Sequence, residues 1–148
     1  MATGRTLARY YRFYADGYDL SAHMRSVGPL SWGFDEAVDD AVTLPVKGAL
    51  LGQATISPGT FNGIFDNTAV TGVHTVLPTA GGNRNIMIPV GILAEPAQGD
   101  PVFCGQFPQL AYSAPIGDGL VSVTIPFGKT HAATAGFNYA QPWGVLLH

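Results

Sequence analysis

The stretch GDPVFCGQFPQLAYSAPIGDGLVSVTIPF, residues Gly99–Phe127, decides the predicted fold. It contains two β-prone segments, Val102–Ser113 and Leu120–Phe127, joined by an APIGDG connection with turn chemistry. Apolar and polar side chains alternate in the second segment, which predicts one buried and one exposed face. An isolated hairpin is only marginally stable in water, so this central hairpin needs further strands, a covering element or partner chains.

The alternation assigns the side chains of the second segment to two faces. One face is predicted to be buried and carries Val121, Val123, Ile125 and Phe127. Ser122 and Thr124 lie on the opposite face, which therefore suits a wet but uncharged surface.

The composition is unusual for a protein that stays alone in solution. Of the 148 residues, 47% are hydrophobic and only 11% are charged, whereas about 25% charged residues is usual in soluble domains. The length suits a single domain, residues 1–148. There is no run of about 18 apolar residues and no signal-peptide layout, so no membrane association is predicted. We therefore expect much of the surface to be buried against other protein chains.

Charge and motif content exclude several classes of function. The net charge of −3 and the lack of a Lys/Arg cluster argue against a nucleic-acid-binding protein. Cys104 is the single cysteine, so an intrachain disulfide is impossible. The histidines are scattered without metal-ligand spacing, and neither a nucleophile elbow nor a phosphate-binding loop occurs. The sequence thus predicts no enzyme, no metal site and no cofactor.

Four further segments complete the predicted organisation. The 19 glycines and 11 prolines indicate many turns and hence a mainly β fold. An aromatic N-terminal strand over residues 8–20 contains an Asp-Gly turn, and a C-terminal strand covers residues 138–148. Apolar spacing over residues 67–77 predicts a short helix. Residues 31–48 hold the one acidic cluster and fit either a short amphipathic helix or an exposed arm.

Aromatic residues near both ends of the chain are candidate contact residues. Aromatic side chains that alternate on a strand more often pack a core on one face and a protein interface on the other than stack on bases or sugars. We single out Tyr10, Tyr14 and Trp143 as candidates for packing between subunits.

Several segments, in order along the chain, resemble the tail tube proteins of long-tailed, siphovirus-type bacteriophages. The resemblance is carried by YADGYDLSAHMRSVGPLS (Tyr14–Ser31), GTFNGIFDNTAVTGVHTVL (Gly59–Leu77), the central hairpin (Gly99–Phe127) and QPWGVLLH (Gln141–His148). The order and character of these segments carry the likeness, since none of them is a diagnostic motif by itself.

The resemblance implies a specific architecture and function. The subunit would be a β-sandwich or open barrel with one short flanking helix, and its sheets would join between subunits into a hexameric ring. Stacked rings would form the tail tube through which the double-stranded DNA genome passes without specific binding. Other tail proteins would contact the tube ends, and the virion would be assembled in the host bacterial cytoplasm.

The resemblance also assigns roles to residues of this sequence. Residues 67–77 would hold the flanking helix, and residues 31–48 would be the long loop or arm that contacts the next ring. The inter-ring contact candidates are Asp35, Glu36, Asp39 and Asp40. Ser122 and Thr124 would face the lumen, where few cations should be exposed because phosphate contacts dominate nucleic-acid affinity.

Three alternatives remain open on the sequence. Another phage structural component, such as a tail terminator or a capsid decoration protein, would have similar composition. A small β-sandwich carbohydrate-binding module would use Trp32, Trp143 and the tyrosines. An enzyme would depend on Cys104 or His74, and no neighbouring motif supports either residue.

Overall fold

The computed structural model describes residues 11–39, 42, 45–46, 48–91, 96–129 and 143–145, which form three antiparallel sheets. In chain order the elements are β1 (Tyr14–Ala15), β2 (Tyr18–Asp19), β3 (Met24–Gly28), β4 (Ser31–Asp39), β5 (Gly48–Ser57), β6 (Thr60–Ile64), α1 (Val73–Val76), β7 (Asn83–Pro89), β8 (Pro101–Pro108), β9 (Ser122–Pro126) and β10 (Trp143–Val145). The sheet orders are β10-β8-β7-β1-β2, β3-β6-β9 and β4-β5. The prediction of a mainly β sandwich with one short helix is confirmed, and none of the sheets closes into a barrel over the described ranges.

The core lies between the five-stranded and the three-stranded sheet. Phe13, just before β1, and Phe61 on β6 are fully buried, with ring centroids 4.8 Å apart. The alternation predicted for β9 is confirmed, because Val123 and Ile125 are buried and Phe127 follows them into the same cluster. Aromatic contacts between the two sheets therefore stabilise the sandwich.

The N-terminal region forms a tight hairpin rather than the single strand predicted for residues 8–20. Asp16 and Gly17 both have positive φ, 50° and 87°, as the two central residues of a type I′ turn require. The carboxylate of Asp16 accepts hydrogen bonds from the backbone N–H of Asn85 at 2.9 Å and from Nη1 of Arg84 at 3.1 Å. Residues 8–10 lie outside the described residues.

The central hairpin is only partly formed, because β8 and β9 belong to different sheets. The residues that follow Pro108, rather than β8 itself, pair with β9. Ser113 and Thr124, for example, exchange backbone hydrogen bonds of 3.0 and 2.8 Å. The chain crosses between the sheets at Gln109, whose buried amide donates to the carbonyl oxygen of Leu77 at 3.1 Å and accepts from Nε of Arg84 at 3.2 Å. A satisfied buried amide fixes this crossing, and the first predicted strand is thus divided.

The predicted helix is shorter than expected, and part of the predicted C-terminal strand is described. Within residues 67–77 only Val73–Val76 is helical, because Gly72 and the β-branched residues disfavour a longer helix. The preceding residues form a turn in which the N–H of Gly72 donates to the carbonyl oxygen of Thr68. Of residues 138–148, the described part is β10, which pairs with β8. The described helices include none long and apolar enough to cross a bilayer.

Candidate assembly surfaces

Strands β4 and β5 form a projecting two-stranded sheet, which we call the arm (residues 31–39 and 48–57). They pair antiparallel from Ser31 with Ser57 to Asp39 with Gly48. Among the helices and strands, β4 and β5 make their main contacts with each other, while Ile56 at the base of the arm belongs to the core cluster of the sandwich. Of the two predictions for residues 31–48, the helix is wrong and an arm is present. Pairing with β5 supplies the backbone hydrogen bonds and overrides a weak local helix preference.

One face of the arm is apolar and becomes uncovered with distance from the sandwich. Trp32, Phe34 and Val38 alternate onto this face, and the rings of Trp32 and Phe34 lie 6.4 Å apart. Ile56, which pairs with Trp32 near the sandwich, is only 4% exposed. Further out, Phe34 is 47% and Val38 59% exposed. Exposed apolar side chains aligned on one sheet face indicate a surface for a protein partner.

Two of the predicted acidic contact residues, Asp35 and Glu36, have described side chains and alternate along β4. Asp35 lines a shallow groove of about 410 Å³ together with Trp32, Phe34 and Lys129. Glu36 alternates onto the apolar face, and Asp39 ends β4. Asp40 lies outside the described residues. The role of these acidic residues as inter-ring contacts remains a prediction.

The arm joins the sandwich at a close approach of two backbone segments. Gly28, at the end of β3, has φ +128°, and Gly59, just after β5, has φ +77°. A Cβ atom on Gly59 would collide with the backbone of Gly28 and Pro29. Only glycine at position 59 combines this contact with this backbone conformation, so the joint is fixed by sequence.

The strand register separates two ends of the three-stranded sheet. Gly28, Thr60 and Pro126 are paired neighbours at the arm end. At the opposite end Ile64 pairs with Ser122, and the chain continues there into residues 65–77 and 114–121. We call these two segments the loop end.

Polar contacts order the first segment of the loop end and tie it to His23, the residue before β3. Nε2 of His23 lies 2.8 Å from Oδ2 of Asp66 in an ion pair. The hydroxyl and backbone N–H of Thr68 donate to Oδ1 of Asp66 at 2.7 and 3.1 Å. The hydroxyl bond, followed by the backbone bond and the charge of His23, outweighs partial desolvation and holds the pKa of Asp66 below its usual value.

A second contact ties α1 to the segment that precedes residues 114–121. Nδ1 of His74 and the hydroxyl of Tyr112 are 2.9 Å apart, and burial raises the pKa of this tyrosine. The ring of Phe65 packs on His74 with centroids 4.8 Å apart. Sequence reasoning missed both histidine contacts, because the partners lie 43 and 38 residues away along the chain. The Asp-x-Thr turn at Asp66 was the one local signal.

Three apolar side chains at the loop end are exposed. They are Val70 at 63%, Ile116 at 85% and Leu120 at 70%. Val70 also has φ +72°, a conformation that a β-branched residue rarely adopts. The loop end thus combines anchored backbone with uncovered apolar groups.

Of the two predicted lumen-facing residues, Thr124 belongs to a row of uncharged polar side chains on the outer face of the three-stranded sheet. Ser26, Asn62 and Thr124 occupy paired positions on its three strands. Nδ2 of Asn62 donates to Oγ of Ser26, and Oγ1 of Thr124 donates to Oδ1 of Asn62, both at 3.3 Å. Ser122 is half-buried near the loop end of β9. A lumen facing this row remains a prediction.

The aromatic candidates for subunit packing have different surroundings. Tyr14 lines an apolar groove of about 420 Å³ on the outer face of the five-stranded sheet, with Met87 and Cys104. Trp143 packs edge-on against Phe103 of its own chain, with centroids 5.3 Å apart. Tyr10 lies outside the described residues.

The described residues bring together no catalytic or metal-binding constellation. No group of three or more His, Cys, Asp or Glu side chains among them could hold a metal ion. Cys104 is exposed in the groove beside Tyr14, whereas His74 is bonded to Tyr112 beside α1. These two residues therefore have separate neighbours.

Comparison with known proteins identifies the fold. No protein-family model matches the sequence, and no curated protein is significantly similar to it. Among solved structures, a chain of the cryo-EM structure of the anti-feeding prophage (AFP) baseplate, 6-fold symmetrised, matches with a TM-score of 0.59. The two chains share one fold. The match has 10% sequence identity and covers 99% of this chain and 98% of that chain, so the likeness includes the arm as well as the sandwich.

Proposed function

We propose that this chain is a structural subunit of a phage tail, which assembles into hexameric rings stacked as a tail tube for genome ejection. The observation that carries the proposal is the arm, an amphipathic two-stranded sheet whose outer apolar side chains, Phe34 and Val38, are left about half exposed by the part of the chain that the structure describes. A two-stranded sheet is marginal by itself. Contact with neighbouring copies supplies the missing cover.

Two further observations support assembly of this kind. The structural neighbour belongs to a 6-fold symmetrised prophage baseplate, so its fold occurs in an assembly with 6-fold symmetry. In the present chain β3 is an edge strand of the three-stranded sheet. Joining such edges between copies satisfies their backbone groups and closes a ring without an exposed sheet edge.

The polar row of Ser26, Asn62 and Thr124 is the proposed lumen wall. Its hydroxyl and amide groups keep the surface wet, while they lack the cations that would hold DNA by its phosphates. In this proposal double-stranded DNA passes without specific binding, and other tail proteins contact the ends of the tube. The role is structural rather than enzymatic, within a virion assembled in the bacterial cytoplasm.

Electron microscopy of the purified protein, together with sedimentation velocity, tests the proposal. Wild-type protein is expected to form tubes. Phe34→Ser removes an exposed aromatic group from the apolar face of the arm and should leave unassembled protein with an unchanged circular dichroism spectrum. Ala37→Ser, on the other face of the arm, is the matched control and should still form tubes.

The outcome also separates the proposal from its alternatives. A stable wild-type monomer would overturn it, and glycan binding by that monomer would favour a carbohydrate-binding module. Single rings that never stack would instead indicate a baseplate ring or a tail terminator, a possibility raised by the baseplate origin of the structural neighbour.

A lysine scan tests which sheet lines the lumen. Thr124→Lys places a cation on the polar row and should impair genome ejection by assembled particles. Asn85→Lys places the same charge at an exposed position of the five-stranded sheet and should eject normally. If Asn85→Lys impairs ejection and Thr124→Lys does not, the assignment of the lumen face is wrong.

A further inference from the structure

We infer that the loop end is the docking surface for the arm of a second copy of this chain. The inference rests on the proposed function, since it names the partner of the arm's apolar face. It concerns the surface formed by residues 65–77 and 114–121, for which the sequence predicts no role beyond a flanking helix.

The first argument is the position of the two surfaces. The arm leaves the three-stranded sheet beside Gly28 and Gly59, whereas the loop end follows Ile64 and precedes Ser122 at the other end of the same strands. A contact between unlike ends is a head-to-tail contact, and such a contact repeats indefinitely when copies are related by translation. Stacking of rings requires a repeating contact of this kind.

The second argument is the chemistry of the loop end. Its exposed apolar side chains, Val70, Ile116 and Leu120, match the exposed Phe34 and Val38 of the arm in character. Val70 combines an exposed side chain with a strained positive φ. Strained backbone that the local fold maintains is concentrated at functional positions.

The third argument is that the receiving surface is held in place. The ion pair of His23 with Asp66 and the contact of His74 with Tyr112 fix the backbone on which these apolar groups stand. A surface that is already ordered loses less conformational entropy when a partner binds.

The charged residues of the arm and the loop end orient the docking and add little to its affinity. Arg25, near the loop end of β3, is exposed and forms no ion pair with the described residues, whereas Asp35 and Glu36 on the arm are exposed anions. Asp118 adds one negative charge to the loop end. An exposed pair contributes only about 0–1 kcal/mol, so the apolar contact has to carry the docking.

The competing surface is the apolar groove beside Tyr14, Met87 and Cys104. It lies on a face of the sandwich, so an arm bound there would come from a copy at the side. Its native cysteine makes the two possibilities directly comparable by disulfide trapping.

The experiment uses the full chain with one cysteine per protein. Tagged Val38→Cys in a Cys104→Ser background is mixed under assembly conditions with untagged Leu120→Cys in the same background, and the mixture is oxidised. Parallel mixtures contain either the wild-type protein, with its native Cys104, or a Thr79→Cys control whose cysteine lies in an exposed loop outside both surfaces. A disulfide forms only when the Cα atoms approach within about 7 Å.

The expected result is a disulfide-linked heterodimer with Leu120→Cys in at least about tenfold higher yield than with Thr79→Cys, because docking raises the effective thiol concentration. Preferential linkage to Cys104 would overturn the inference. Equal yields from all three partners, in preparations that form tubes, would overturn the docking surface while leaving the tube proposal intact. Failure of the Cys104→Ser parent and the wild-type protein to assemble would overturn both.

A second variant gives an independent measurement. Leu120→Asp should prevent stacking and shift the sedimentation profile to rings or smaller species. Its thermal midpoint should equal that of wild type, because this side chain is exposed in the single chain. Normal tube length from Leu120→Asp would contradict the inference.

Discussion

The sandwich and the arm are built from the same kind of alternating strand, but they cover their apolar faces differently. In the sandwich, Phe61 and Ile125 face a second sheet and are fully buried. In the arm, Phe34 and Val38 occupy equivalent alternating positions and remain about half exposed. Apolar alternation therefore indicates that a strand needs a partner sheet, but it does not say whether that sheet belongs to the same chain. The same alternation of apolar and polar residues thus occurs in strands that pack within one chain and in strands whose apolar face is left exposed.

The largest expected effect separates the two regions by stability. Phe61→Ala removes a fully buried ring whose centroid lies 4.8 Å from that of Phe13. The substitution should lower the free energy of unfolding by about 3–5 kcal/mol. Phe34→Ala on the arm should change it by no more than about 0.5 kcal/mol. Guanidinium denaturation of both variants under non-assembling conditions provides the measurement, and similar losses for both would mean that the arm belongs to the folding core.

A smaller effect is expected at the joint between the regions. Gly59→Ala forces a side chain into a positive-φ site against the backbone of Gly28, and should cost about 1–3 kcal/mol. Gly33→Ala, within the arm, has open space around its Cβ position and serves as the control. Thermal denaturation of both variants measures the difference in stability between them. Equal thermal midpoints would contradict a fixed joint.

The next effect concerns the anchoring of the loop end. Tyr112→Phe removes the hydroxyl that lies 2.9 Å from Nδ1 of His74 and should lower stability by about 0.5–1.5 kcal/mol. Tyr18→Phe, on an exposed residue, should be close to neutral. Chemical denaturation at pH 7 distinguishes the two, and equal stability for both variants would show that this contact is not formed in solution.

The smallest effect is a dependence on pH. The pKa of Asp66 is lowered in the folded state, so its ionised form stabilises the fold above the ordinary Asp pKa of about 3.9. This contribution is lost as pH falls through the folded-state pKa. The stability difference between wild type and Asp66→Asn should therefore be larger at pH 5 than at pH 3. A difference that is constant or grows toward pH 3 would contradict this role of the carboxylate.

The sequence predicts the local features well and the long-range partners poorly. The alternation of β9 places Val123 and Ile125 in the core, and the Asp-Gly turn at residue 16 forms as expected. Both signals act between neighbours in sequence. The separation of β8 from β9 depends on Gln109, whose amide finds its partners in Leu77 and Arg84. No local pattern reports a contact of this kind.

The candidate surfaces show the same division. The acidic residues of 31–48 suggested a ring contact, whereas the structure shows exposed apolar side chains beside them, Phe34 and Val38. Their exposure depends on tertiary packing, which the local pattern does not report. The loop end could not be recognised either, since it brings together residues 65–77 and 114–121 only after β6 pairs with β9.

The pairing of distant strands has a consequence for biosynthesis. The sandwich requires Thr60 to pair with Pro126, whereas the arm is a local hairpin that is complete at Ser57. A ribosome adds about 5–20 residues per second, so the roughly 70 residues between the end of β5 and the end of β9 take about 3–14 s to synthesise. A hairpin forms within about 1–10 μs. The exposed apolar side chains of the arm are therefore presented on the nascent chain seconds before its own core closes, at polysomes where other chains of the same sequence are being made.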